Sequence, residues 1–315
     1  MLMFKPLMRL LAAGSAFAAC AAAAQTLQPQ ALRVAPDVYM VQGAAALGSV
    51  ANRNFISNAG FVVTPEGVLV VDALGAPVLA RELLAEIRRI TPLPVRYLIV
   101  THYHADHVYG LQEFKAAGAT LIAHRAGRVY LNSETAALRL TASRDELGPA
   151  VDETTHLVGA DRWIDAPTTL QFGGLDFLLQ PAGPAHTPDD LVVWVPQRKL
   201  LFAGDLVFRG RIPFVGQADS GQWIAALDKL LAFEPALIVP GHGPPSSSAR
   251  ADLELTRDYL VYLRQTMGEA ARNLDPFEEA YARTDWSRFA KMPLFGPANR
   301  INAYNTYLLM EQSAK

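Results

Sequence analysis

The chain has 315 residues, 51% of them hydrophobic and 18% charged, with a formal net charge of −2. That is enough apolar material for a large core, and the absence of any basic run argues against nucleic acid or an anionic membrane surface as a partner. The one cysteine, Cys20, excludes an internal disulfide framework.

The first 24 residues read as an export signal. Lys5 and Arg9 supply its positive end, Leu10 to Ala24 are apolar and alanine-rich, and Ala22-Ala23-Ala24 before Gln25 fits a small-residue cleavage site. Phe17-Ala18-Ala19-Cys20 loosely resembles a lipoprotein cleavage box, but Phe is unusual in its first position, so cleavage near Gln25 is the preferred reading. The mature chain would then carry no thiol ligand or thiol nucleophile. No other apolar stretch is long enough to span a bilayer, and a periplasmic or secreted protein is expected. The expected organisation is a signal peptide over 1–24, a main domain over 25–245 and a helical extension over 246–315 packed on it.

Residues 32 to 42 hold strand formers, and Gly43 to Ser57 is a small-residue loop containing Arg53, Asn54 and Phe55. A hairpin follows, built from Phe61-Val62-Val63, the turn Pro65-Glu66-Gly67, and Val68 to Asp72. Leu79, Leu83, Leu84, Ile87 and Ile90 recur near helical period and predict an amphipathic helix over 77–90. The apolar run Val95 to Val100 predicts a strand, followed by a helix over about 106–117 and a strand over 119–124. Residues 125 to 162 are polar and read as helical or irregular. A second strand-rich half runs through Leu170–Leu179, Leu191–Val195 and Leu200–Ala203. Trp223, Ile224, Leu227, Leu230 and Leu231 share one face of a helix near 222–233, before a last strand over 236–239. From about Ser246 the chain reads as helical, with a loop over 293–297 and a short final helix. Strands and helices alternating in two successive halves predict two sheets packed face to face, with helices on both outer sides.

At the end of the Val95–Val100 strand stands Thr101-His102-Tyr103-His104-Ala105-Asp106-His107. Imidazoles and carboxylates delivered from the end of a buried strand make a rigid site for a divalent ion. His102 and His104 alternate by two and point one way on an extended segment, whereas Asp106 and His107 are adjacent and diverge. One cluster can therefore serve two neighbouring metals. Three later residues share the same setting, a polar ligand at a strand end beside glycine or another small residue: His186, Asp205 and His242. Each alone reads as a turn or capping residue; together with the 102–107 cluster they read as ligands. His124 reads as a structural hydrogen-bonding residue and His156 as solvated.

This ordered set, with Asp72 after the first hairpin, resembles the metallo-β-lactamase superfamily of hydrolases over roughly residues 32 to 245. The resemblance implies an α/β fold, the four-layer αβ/βα sandwich with C-terminal helices, and an active site on its edge. It implies two divalent ions, zinc by preference with iron or manganese open. One would be held by His102, His104 and His186, the other by Asp106, His107 and His242. Asp205 would bridge them, and Asp72 would orient the histidine box from behind. Two ions about 3.5–4 Å apart would supply a metal-bound hydroxide that cleaves an ester, thioester or amide-type bond in a small substrate, with Asp106 as proton shuttle.

The commonest zinc β-lactamases carry a cysteine where this chain has Asp205; the aspartate resembles glyoxalase II and other two-metal hydrolases. The closer likeness is to periplasmic zinc metallohydrolases of sulfur-oxidation and quinoprotein-relay systems. It rests on Leu201–Phe208, Val239–Pro244, Pro293-Leu294-Phe295 and Asn299-Arg300-Ile301-Asn302. The C-terminal helices lack the basic pattern expected for glutathione, which counts against that substrate. Substrate contacts are expected from Phe55, on a loop that could overhang the site, and from Arg209 or Arg211 as receivers of a carboxylate. The competing activities are β-lactam hydrolysis and an iron-dependent persulfide oxidoreductase on the same scaffold.

Overall fold

Apolar runs that are continuous rather than alternating mark strands covered on both faces, and they sort here into two sheets. The computed structural model describes residues 27–313. The export-signal reading of residues 1–24, with Cys20, lies outside the described residues. The first half of the chain gives β1 (Leu32–Ala35), β2 (Val38–Val41), β3 (Ala59–Thr64), β4 (Gly67–Val71), α1 (Pro77–Ile90) and β5 (Val95–Ile99). It continues with α2 (Ala105–Val108), α3 (Leu111–Ala116), β6 (Thr120–His124), α4 (Gly127–Leu131), α5 (Glu134–Leu147) and β7 (Arg162–Ile164). The second half gives β8 (Thr168–Phe172), β9 (Leu175–Pro181), β10 (Leu191–Val195), β11 (Leu200–Phe208), α6 (Ser220–Leu231) and β12 (Leu237–His242). Three helices close the chain: α7 (Ala249–Arg272), α8 (Phe277–Arg283) and α9 (Phe295–Ser313).

Seven strands pair in the order β1 to β7, antiparallel as far as β4 and parallel from β4 to β7. Five strands form the second sheet in the order β12-β11-β10-β9-β8, with only β11 and β12 parallel. Between the sheets lies a layer that includes Val62, Leu69, Ile99, Phe177, Val193 and Phe202. Outside the first sheet, Leu79, Leu83 and Ile87 of α1 and Phe114 of α3 pack on Val68, Val70 and Leu98. Outside the second, Trp223, Leu227, Leu260 and Leu263 of α6 and α7 pack on Leu201 and Val207. The sandwich has four layers, helices outside and sheets inside.

Three expectations change. The helix read over 106–117 is two short pieces, divided where the Gly110 N–H turns to the Leu74 carbonyl at 3.2 Å and the Asp106 carbonyl accepts from the Ser57 hydroxyl; a Cβ at Gly110 would meet the Ala73 carbonyl oxygen at 2.0 Å. The final helix is long, 19 residues, and begins inside the stretch expected to be a loop. Pro297 falls in its first turn, where the missing N–H costs nothing. β11 runs to Phe208 rather than ending at Ala203. It does so through a register shift at Gly204, whose φ of +50° suits glycine and whose close neighbour is Thr101.

Candidate metal centre

The parallel strands aim the 102–107 segment, His186, Asp205 and His242 at one edge of the sandwich. His102 Nε2 and His186 Nε2 lie 3.1 and 3.0 Å from His104 Nδ1. Asp205 Oδ2 is 3.8 Å from His102 Nε2 and 3.5 Å from His186 Nε2. A tetrahedral ion with donors at about 2.0–2.1 Å has edges of about 3.3 Å, so these spacings suit one. Beside this group stands a second. Asp106 Oδ2 is 3.7 Å from His107 Nε2 and 3.4 Å from His242 Nε2. Asp205 faces it too, with Oδ1 at 3.2 Å from His107 Nε2 and Oδ2 at 3.2 Å from His242 Nε2. In each group the donor atoms lie within 4.8 Å of one another.

Proton positions follow from what stands behind the rings. Asp72 accepts from His107 Nδ1 at 2.8 Å, from the Thr101 hydroxyl at 2.8 Å and from the Thr101 backbone N–H at 2.8 Å. The Thr101 hydroxyl gives its one proton to Asp72, so at 3.0 Å from His102 Nδ1 it accepts. His242 Nδ1 donates to the Ile56 carbonyl at 2.7 Å. His102, His107 and His242 therefore carry their protons on Nδ1 and turn Nε2 lone pairs inward, as metal ligation requires. His186 is oriented by packing instead, with its ring against Trp223 and Phe208 and a buried Nδ1 that has no partner. His107 Nε2 and Asp205 Oδ1 are likewise buried without a hydrogen bond. Orphaned buried acceptors facing one another are costly unless a cation lies between them. The residues fit a pair of divalent ions.

Burial, reinforced by neighbouring imidazoles, holds His102 and His186 well below the usual histidine range, and burial lowers His104 too. His107 is pushed the other way: burial opposes its charge, but Asp205, Asp106 and Asp72 outweigh it and raise it well above its usual value, so that with no cation in the pocket a proton on Nε2 takes the place between the ring and the carboxylates. Burial also opposes ionisation of Asp205, yet His242, His107 and His102 hold it well below the ordinary carboxylate range.

The seven residues expected as ligands lie together in two adjoining groups, and Asp72 bonds to His107 and Thr101 behind them. The substrate contacts fare differently. Arg211 borders the cavity over the centre, but Arg209 turns away to pair with Asp252 at 3.1 Å and the Pro245 carbonyl at 2.9 Å. Phe55 is buried in the first sheet's outer core; its neighbour Ile56 takes the place at the cavity. The left-handed backbone of Arg53 and Asn54, φ 55° and 60°, turns the loop so that Phe55 points inward. His124 is half-buried, with Nδ1 lacking a partner, and His156 is exposed.

Sequence reasoning missed Thr101, Asn58 and the aromatic wall. Asn58 ties the two sheets at the site: its Nδ2 donates to the Pro240 and Gly243 carbonyls at 2.8 and 2.7 Å, and its Oδ1 accepts from Gly43 N at 3.2 Å. Tyr103 stacks on Tyr130 at 3.9 Å, and Phe214 stands 6.3 Å from the His104 ring. Alternating placement of Tyr103 between two ligand histidines was a usable signal; Asn58 offered none.

Fold and donor set define a class: a two-sheet sandwich whose edge is fitted to hold divalent metal through nitrogen and oxygen. The model of the metallo-beta-lactamase superfamily matches residues 52–242, more than half the chain, and the chain belongs to that family. A linear primary-alkylsulfatase from a Pseudomonas species is 28% identical over 255 residues, covering 69% of this chain and 48% of the relative. A type 2 metallo-beta-lactamase from Bacillus cereus is 27% identical over 202 residues, covering 62% of this chain and 71% of the relative. The chain thus spans about half the length of that alkylsulfatase. Among solved structures, a metallo-beta-lactamase from Pontibacter korlensis aligns with a TM-score of 0.59 at 23% identity, over 74% of this chain and 99% of that one. An inverting sec-alkylsulfatase from Pseudomonas sp. aligns with a TM-score of 0.68 at 17% identity, over 89% of this chain and 50% of that one. Both share the fold.

Proposed function

We propose that this chain is an exported hydrolase that holds two divalent ions, zinc by donor type, and cleaves an ester, thioester or amide-type bond in a small substrate. One observation carries the reading: two donor groups adjoin, and Asp205 faces both. His102, His104 and His186 would hold one ion and Asp106, His107 and His242 the other, with Asp205 within reach of both. Such a pair, when bound, lowers the pKa of a water toward neutrality and polarises the scissile group. The chain's own residues do the rest. Asp72 and Thr101 fix the tautomers of His107 and His102. Asp106, with 16% of its side chain exposed against 4% for Asp205, is the carboxylate that can exchange a proton with the cavity. The cavity holds about 900 Å³, and Leu47, Ile56, Tyr103, Tyr130 and Phe214 give it an apolar wall suited to an organic substrate.

Likeness to the alkylsulfatase favours a sulfate ester as a second reading of the bond, and likeness to the β-lactamase favours a lactam. The tail motifs Pro293-Leu294-Phe295 and Asn299-Arg300-Ile301-Asn302 keep the sulfur-oxidation and quinoprotein-relay metallohydrolases as the proposed subgroup, with periplasm or secretion as the proposed location. The test is a panel of thioester, lactone, β-lactam and alkyl sulfate substrates on zinc-loaded protein, beside the His102→Ala/His104→Ala double variant. Turnover by the native chain and none by the variant, at preserved circular dichroism, is expected. Turnover retained by the variant refutes the reading, and iron with oxygen uptake on a persulfide would replace it.

A further inference from the structure

Asn302 grips the backbone of one cavity residue from both sides. It lies on α9, outside the ligand set, and is fully buried. Its Nδ2 donates to the Pro213 carbonyl at 2.7 Å, and its Oδ1 accepts the Val215 N–H at 3.0 Å. Those two groups belong to the two peptide planes that meet at the Cα of Phe214. A planar peptide leaves only φ and ψ free at each residue, so one amide bonded to both planes fixes both angles. The Phe214 side chain thereby takes a set direction. Its ring borders the cavity and stands 6.3 Å from the His104 ring.

The turn around Phe214 is fixed at further points. Ile212 and Val215 on either side are buried, whereas Phe214 is 42% exposed. Gly216, with φ +53°, sits close under the ring: a Cβ there would meet Phe214 Cε1 at 3.0 Å. Asn305 Nδ2 donates to the Gly216 carbonyl at 2.6 Å, and Ile212 N donates to the Pro293 carbonyl at 3.0 Å. The Asn302 amide is itself held in one orientation. Its second Nδ2 proton goes to the Tyr259 hydroxyl at 3.0 Å, that hydroxyl donates to Asn299 Oδ1 at 2.9 Å, and Asn299 Nδ2 donates to the Tyr281 hydroxyl at 3.1 Å. A flipped amide would set its NH₂ against the Val215 N–H and its oxygen against the Pro213 carbonyl.

We propose that Asn302 is a positioning residue of the metal centre that acts through Phe214. It holds the ring beside His104 as an apolar wall, which limits the access of water and small solutes to the His102, His104 and His186 group. Apolar groups around a metal site control how solvent reaches it. The C-terminal helix is then part of the site and not only a cover on the sandwich. The wall rests on the metal-binding part of the hydrolase reading; the clamp does not.

Two measurements on the full chain test it. Amide hydrogen exchange over residues 212–217 of the metal-free chain reads the clamp: the Val215 N–H should exchange at least tenfold faster in Asn302→Ala than in the native chain. Zinc release from the loaded chain into excess chromophoric chelator reads the wall. Phe214→Ala should release zinc severalfold faster, Asn302→Ala should also release it faster at unchanged zinc content, and the double variant should be no faster than Phe214→Ala. Residues that act through one another combine in this non-additive way, whereas independent effects multiply. Ile301→Ala, on an exposed position of the same helix, should match the native chain in both measurements. If Asn302→Ala melts early, Asn305→Ala takes its place, with the same non-additivity expected. Native Val215 exchange in Asn302→Ala overturns the clamp, and native release from Phe214→Ala overturns the wall. A double variant faster than Phe214→Ala by the full Asn302→Ala factor overturns the positioning role. A native chain that takes up no zinc sinks the hydrolase reading and the wall with it, while exchange in the metal-free chain still decides the clamp.

Discussion

Asp72→Asn isolates the orienting role of a buried carboxylate without changing its size. Asparagine tolerates the left-handed backbone at this position, φ 66°, so the turn itself survives. The carboxylate accepts three hydrogen bonds at 2.8 Å, two of them on Oδ2 from His107 Nδ1 and the Thr101 hydroxyl. An amide has one accepting oxygen. If that oxygen stays on Thr101 N, an NH₂ faces two donors; if it flips, the NH₂ faces the Thr101 N–H. Either way at least one charge-assisted bond is lost, about 1.5–3 kcal/mol. His107 can escape the conflict by moving its proton to Nε2, which removes a lone pair from the metal centre. Zinc affinity should therefore fall about 10- to 100-fold. Competition with a chromophoric chelator measures it, with melting of the metal-free chain as the control. Native zinc affinity in Asp72→Asn would refute the reasoning, as would a loss confined to the melting temperature of the metal-free protein.

Asn58→Ala strands two carbonyls and one N–H at the sheet junction and should cost about 2–4 kcal/mol in denaturant unfolding, with weaker zinc binding on the His242 side. A loss under 1 kcal/mol would show that water replaces the amide. Asp189 concerns pH. Burial pushes its carboxyl up to about 7 from an ordinary 3.8. Because the folded value is the higher, its neutral form favours the fold below about pH 4, and that contribution is lost as pH rises through 7. The Thr187 hydroxyl has one proton for Asp189 at 2.9 Å and Asp190 at 2.8 Å, so Asp189→Asn supplies the missing donor. Metal-free Asp189→Asn should gain stability over the native chain between pH 4 and 8, and parallel melting curves across that range would contradict it.

The candidate ligands were legible as a set: a turn or capping role suffices for any one polar residue where an apolar run stops, but not for so many beside the 102–107 cluster. His102, His104, Asp106, His107, His186, Asp205 and His242 meet as the strand ends require, and Asp72 closes a strand beside them. What stayed illegible depends on direction or on distant pairing. Phe55 looked like a cavity residue, yet two left-handed residues before it decide which way it points. Arg209 and Arg211 are two positions apart, and only the place of Asp252 on α7 separates an ion-paired arginine from an unpaired one. Asn58 reaches carbonyls more than 180 positions away, a relation no local pattern encodes. The long last helix was hidden because Pro297 reads as a breaker unless its place in the first turn is known.

Anomalous diffraction at the zinc edge, on crystals of the full chain grown with zinc, bears most directly on the paired centre. Two peaks are predicted, one among His102, His104 and His186, the other among Asp106, His107 and His242, with Asp205 touching both. A single peak, or none in this pocket while zinc binds elsewhere, would contradict the account.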